Sequence, residues 1–215
     1  MEGNVHRILN LFLISLILIL GELNAQNPGG SVFSGNQILD FHFYFNQENF
    51  LDSLYQSHEN EEYIPANVEI KGVLYDSVGV RFKGFSSFHA YPGHKKSLRI
   101  KFNKFKKSHR FDGLKKINLN NGWSDPSLLR EKLYLDFLYE NNVSAPRANF
   151  ARVYLNGVYW GLYSLVEHVD KTFLNTRYDN NDGNLFKAER SAELDWKGED
   201  QQNYYEHYAL KTNET

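Results

Sequence analysis

The feature that most constrains this chain is a two-residue alternation of apolar and polar side chains, recurring in short runs broken by turn residues. In residues 38–45, Ile38, Asp40, His42 and Tyr44 alternate with Leu39, Phe41, Phe43 and Phe45. Successive strand side chains point to opposite faces, so such a run reads as a strand with one buried face. The pattern returns at Val68 and Ile70, at Val73–Tyr75, at Val78, Val80 and Phe82, at Leu98, Ile100 and Phe102, and at Ile117 and Leu119. Lys71-Gly72, Asp76-Ser77 and Asn120-Asn121-Gly122 punctuate it. Ala151, Val153 and Leu155 are separated from the run Val158–Val166 by Asn156-Gly157, a dipeptide suited to the two positive φ angles of a type I′ hairpin turn.

Helical spacing shows in Phe50, Leu51, Leu54 and Tyr55, and most strongly after Ser124-Asp125-Pro126, where a capping side chain precedes a proline. Leu128, Leu129, Leu133, Leu135, Phe137 and Leu138 then predict an amphipathic helix to about Glu140, and Asp170 is placed to cap a short helix through Arg177. A meander, one long helix and a hairpin make an α+β domain with a mostly antiparallel sheet, and the lack of βαβ alternation excludes a doubly wound nucleotide fold.

The first residues have the parts of a secretory signal. Arg7 is the only fixed positive side chain before an apolar run from Ile8 to Leu20, broken only by Asn10 and Ser15, and the small Ala25 ends the segment. Thirteen residues are too few for a span, which needs about 20. A cleavable signal over residues 1–25 is therefore expected, with a secreted, periplasmic or cell-surface product and no stable membrane span after cleavage. Residues 26–37, rich in Gly, Asn and Ser, read as a flexible lead-in, residues 38–190 as the domain, and the polar stretch 191–215 as the start of a truncated remainder. The chain has no Cys, which excludes disulfides, zinc–thiolate sites and thiol nucleophiles. A net charge of −2 argues against a nucleic-acid partner.

The familiar hydrolase, P-loop and EF-hand signatures are absent, and the eight His lack metal-ligand spacing, so no metal site is read. More suggestive is Arg81-Phe82-Lys83-Gly84-Phe85-Ser86-Ser87, a strand with outward cations running into a Gly-Ser loop. Backbone N–H groups and hydroxyls beside cations are what a phosphate needs. Lys95-Lys96-Ser97 and Leu98-Arg99-Ile100-Lys101 follow as a second basic strand; a solvated sheet face is the bland alternative for both. Glu131 on the long helix could orient a strand lysine toward phosphate oxygens, or could simply lie on an exposed helix face.

Taken in order, these blocks resemble the CotH family of atypical protein kinases. The resemblance rests on Arg81 to Ser87, Lys95-Lys96-Ser97, Asp125-Pro126 with Leu129 to Leu133, Pro146-Arg147, Val153 to Tyr163, Glu167, and Gly183 to Lys187. Lys83 departs from the family, which usually has Arg before the Gly; the charge is kept but the bidentate fork is lost. The resemblance implies part of an atypical protein-kinase-like fold, with ATP and Mg²⁺ as cofactors and an exported or cell-surface protein as substrate. It implies Lys96 and Glu131 as catalytic residues, Lys96 holding phosphates and Glu131 orienting it. Arg81, Lys83, Gly84, Ser86, Ser87, Lys101 and Glu167 would contact the nucleotide, Lys101 being the second choice for the phosphate lysine and Glu167 marking a hinge. The metal-binding carboxylates of the family lie in Trp-Asp segments that this sequence lacks; Asp195-Trp196 has the reverse order. The fragment is accordingly expected to be inactive alone. The rival expectation is a non-catalytic, β-rich module that stacks glycans on aromatics such as Trp123, Tyr159 and Trp160.

Overall fold

The computed structural model describes residues 27–178, 180–182, 185–187 and 211–212. The signal expected over residues 1–25, together with Gly183, Asp195 and Trp196, lies outside the described residues.

Seven strands close into a barrel: β1 (Ile38–Tyr44), β2 (Ile64–Ile70), β3 (Val73–Lys83), β4 (Ser97–Lys101), β5 (Lys116–Asn120), β6 (Ala148–Leu155) and β7 (Val158–Glu167), in the spatial order β1-β2-β3-β4-β5-β7-β6. Neighbours run antiparallel except β1 and β6, which pair in parallel from Ile38↔Phe150 to Phe43↔Leu155 and close the ring. Outside the ring lie α1 (Gly30–Phe33), α2 (Phe50–Glu59), α3 (Ser86–Ala90), α4 (Arg130–Glu140) and α5 (Lys171–Tyr178). Two short strands, β8 (Phe186–Lys187) and β9 (Lys211–Thr212), pair separately.

This closure overturns the expected α+β, atypical protein-kinase-like fold built around one long helix. The longest described helix is α4, with 11 residues, and the molecule is organised by the barrel instead. The helix starts five residues later than the Ser124 cap suggests, because Ser124 (φ 61°) and Leu128 (φ 58°) take left-handed backbone and turn the chain before it can coil. Asp125 still serves the helix start: its carboxylate accepts from the N–H groups of Ser127 (3.1 Å) and Arg130 (2.9 Å). The apolar stripe does not enter the core. Leu133, Tyr134 and Phe137 remain 62%, 63% and 59% exposed, while the buried member of the helix is Lys132, whose Nζ donates to Ala148 O of β6 and to Asp136.

The barrel has no room for that stripe because strand alternation already fills it. Phe41, Phe43, Val68, Val80, Phe82, Leu98, Ile100, Ile117, Leu119, Val153, Tyr163 and Leu165 point inward and are inaccessible to solvent. Phe41 stacks with Phe43 and meets Phe111 edge-on, 5.9 Å between ring centres. The turn Asn156-Gly157 has both φ angles positive, 47° and 82°, as a type I′ hairpin requires.

Residues 27–34, expected to be a flexible lead-in, are tied down. Asp112 accepts from Ser31 N, Ser31 Oγ and Val32 N, Asn149 Nδ2 donates to Val32 O, and Val32 and Phe33 are buried. No described helix is long and apolar enough to cross a membrane.

Phe41 sits on the strand that closes the ring, so Phe41→Ala should lower unfolding stability by about 3–5 kcal/mol, measured by urea denaturation, with the secondary structure retained.

Candidate functional site

The alternation that fills the barrel fixes what decorates its outside. Where β3, β4, β5 and β7 lie side by side, the outward positions form rows. Arg81 is opposite Arg99, Arg99 opposite Asn118 and Asn118 opposite Val166, and at the end of the sheet Lys83 faces Ser97 and Asn120 faces Ser164. That end opens into a cleft of about 490 Å³, within the range of small-molecule sites. Lys83, Gly84, Ser87, Ser97, Asn120 and Glu131 are among its walls, with Asp125 and Arg130 at the start of α4.

Three of these side chains form a chain. Lys83 Nζ donates to Asn120 Oδ1 at 2.6 Å, and Asn120 Nδ2 donates to Glu131 Oε1 at 2.6 Å. An ammonium on a strand and a carboxylate on a helix are thus linked through one amide. The anchoring of Lys132 to β6 holds the neighbouring Glu131 over the sheet. Asn121, 6% exposed, braces the floor: it accepts from Ser97 Oγ (3.1 Å) through Oδ1 and donates to Lys95 O (3.0 Å).

The Gly-Ser loop is held open over this floor. Gly84 has φ +94°, and a Cβ there would lie 2.5 Å from Ser87 Oγ, so any other residue would strain the backbone and displace the Ser87 hydroxyl. Gly84 O accepts from His58 Nε2 (2.7 Å), and the His58 ring stacks on Phe88, 3.5 Å between centres.

The residues singled out in the sequence therefore separate. Lys83, Gly84, Ser87 and Glu131 line the cleft; Ser86 opens α3 on the exposed side of the loop. Lys96 is 5% exposed and bends away, donating to Phe88 O (2.6 Å) and Tyr91 O, so it ties down the loop where a partnership with Glu131 was expected. Arg81 lies one outward position behind the cleft and Lys101 at the opposite end of β4. Glu167, 1% exposed, is held by Arg147 (Nη2–Oε1 2.6 Å) and Arg177 (Nη2–Oε2 2.8 Å), so its carboxylate locks β7 to α5 and does not face the cleft. Of the aromatics in the rival expectation, Trp123 lines the cleft, while Tyr159 lies beside Tyr154 on the other side of the barrel.

Sequence reasoning missed Asn120, whose Asn-Asn-Gly context reads only as a turn, and His168. The His168 imidazole is pushed down to about 2 by burial, and then by Arg99, Lys116, Lys83 and Arg81. Asn118 Nδ2 lies 3.4 Å from its Nδ1.

A family model described as CotH kinase protein matches residues 80–215. The chain belongs to the CotH family. Inner spore coat protein H of Bacillus subtilis (strain 168) is 35% identical over 129 residues, which cover 60% of this chain and 33% of that protein. The chain thus spans about a third of the length of that CotH-family relative. The matched residues include β4 to β7, α4 and the Gly-Ser loop, so every wall of the cleft named above lies inside the family match.

His168 is neutral in the folded state across the ordinary range but takes a proton in the unfolded chain below about pH 6.5. Stability present above that pH is therefore lost as pH falls from about 6.5 toward 2, by up to about 1 kcal/mol per pH unit. Urea unfolding at pH 6.5 and pH 4.5 should show His168→Asn losing about 1–2 kcal/mol less than the parent chain.

Proposed function

We propose that this chain is the nucleotide-contacting part of an exported CotH-type protein kinase, which transfers the terminal phosphoryl group of ATP to Ser or Thr of exported or surface proteins. The observation that carries this reading is the Lys83–Asn120–Glu131 chain at the mouth of a cleft roofed by a Gly-Ser loop. The donor set suits the phosphates of a nucleotide: the Lys83 ammonium, the Ser87 and Ser97 hydroxyls and the Arg130 guanidinium all line one opening. Asn120 and Glu131 hold the Lys83 ammonium in one place, lowering the entropy lost when it meets an anion. His58 and Lys96 fix the loop above it.

Bound ATP would supply the phosphoryl group. The residues do not fit a magnesium ion equally well. Among the described residues no three His, Cys, Asp or Glu side chains gather where they could hold a metal, and no step is assigned to one. Membership of a family of CotH kinase proteins supports the kinase reading, and the similarity to an inner spore coat protein supports a place at a cell or spore surface.

The test is binding. ATP at millimolar concentration should raise the melting temperature of the chain, and Lys83→Met should weaken ATP binding about tenfold, with Glu131→Gln weakening it less. Stabilisation by a polysaccharide panel with indifference to ATP would instead select the glycan-binding module.

A further inference from the structure

The loop between β4 and β5 concentrates positive charge at the end of β4 away from the cleft. From Lys101 to Lys116 the sequence has seven Lys and Arg and one Asp, in a chain whose net charge is −2. The loop is firmly anchored. Phe102 and Phe111 are buried at its two ends and stack with ring centres 5.3 Å apart, and Phe111 pairs with Leu114. Between those anchors Lys104, Phe105, Lys106, Lys107 and Ser108 are all exposed, Phe105 to 46%. Lys106 pairs with Asp76, and His109 Nε2 lies 3.6 Å from the same carboxylate. Lys104 Nζ lies 5.6 Å from the centre of the Tyr63 ring, and Lys104, Lys107 and Lys115 have no ion pair among the described residues. The lone acid of the loop, Asp112, is taken up by Ser31 and Val32. Burial pulls the Lys101 ammonium below its ordinary range, and Lys104, Lys107 and Lys115 pull it further, so these three ammonium groups gather around one spot.

The same loop meets the point where the chain enters the domain. Gly29 N donates to Asp112 O at 2.6 Å, and Pro28 packs on Gly113, where a Cβ would come 3.2 Å from Pro28 Cα. The apolar run read as part of an export signal ends at Leu20, eight residues before Pro28, a reach of at most about 30 Å. While that run is in a bilayer, the basic loop is held within reach of the bilayer surface. Exposed lysines around an aromatic tip suit such a surface: the ammonium groups meet headgroup phosphates and the ring enters the interface. We propose that the β4–β5 loop, through Phe105 with Lys104, Lys107 and Lys115, docks the folded domain on an anionic lipid surface. An acidic polypeptide would match the charge equally well but gives no use to an exposed Phe at the tip. Removal of residues 1–25 would sever the tether, and the loop would keep the contact. This surface lies apart from the cleft and serves whether or not ATP binds there.

The apolar run can hold the full chain on any bilayer, so the readout must be local to the loop. The chain has no Cys, and Ser108→Cys in the exposed stretch therefore accepts a single environment-sensitive dye. On phosphatidylcholine vesicles containing about 30% phosphatidylglycerol its emission should rise about twofold, with little change on pure phosphatidylcholine. Salt at about 1 M, where the screening length is about 3 Å, should remove the rise. Lys104→Gln, Lys107→Gln and Lys115→Gln together should abolish it, and Phe105→Ala should lower it by about half. Arg152→Gln, which takes one charge from β6, should leave it intact. All these positions are exposed, so folding is not at risk. An equal rise on both vesicles, no rise on either, or a rise retained by the triple variant overturns the proposal. A rise unchanged by Phe105→Ala, or polyglutamate raising the emission where the vesicles do not, would make the partner a soluble polyanion and overturn the lipid assignment. The gain in melting temperature with ATP should be unchanged in the triple variant, so failure of either reading leaves the other standing.

Discussion

The parallel pairing of β1 with β6 is the contact on which the rest of the molecule depends. Without it the strands would form an open sheet with two exposed edges, each a row of unpaired backbone groups. With it, residues more than a hundred positions apart, such as Phe41 and Val153, are brought into register and the sheet has one inside and one outside. Most inward positions are then filled by apolar side chains, with Asn149 of β6 a buried polar exception that donates to Val32 O, and most polar residues between them are sent outward. The cationic rows of β3, β4 and β5 follow from that closure as directly as the core does.

Closure also explains how the helices are used. In a sheet with an open face, a helix such as α4 would bury its apolar stripe against the strands. Here the barrel interior is complete, so α4 rests on the outside through Lys132 and Ala148 and leaves Leu133 and Phe137 in solvent. Its contribution to the cleft is positional. One residue before that anchor, Glu131 is held where Asn120 can reach it. The same economy applies to Lys96 and His58, which act on the loop from beneath and beside, each by hydrogen bonds to a carbonyl that the loop's turn leaves exposed.

Much of the local structure was legible in the sequence. Strand positions could be read because a period of two has one physical cause, and the Asn156-Gly157 turn because few dipeptides accept two positive φ angles. The Gly-Ser loop and its cations were legible as a possible phosphate site, and four of the residues named for it, Lys83, Gly84, Ser87 and Glu131, do share one cleft. The side-chain partners of Lys96, Glu167 and the helix stripe were not legible for one reason. Each is a residue type whose partner is chosen by tertiary proximity: two loop carbonyls for Lys96, two arginines for Glu167, and open solvent for Leu133.

The sequence by itself thus determined which segments are strands, which face of each is apolar, where the chain turns, and, through its ordered blocks, the family to which it belongs. Only the tertiary structure decided that the sheet closes, which lysine meets Glu131 through Asn120, and that a buried Arg81 faces a half-buried Arg99 behind the cleft. Alternation is a local property written into neighbouring residues. Closure and side-chain partnership depend on the register between distant strands, which no single stretch of sequence encodes.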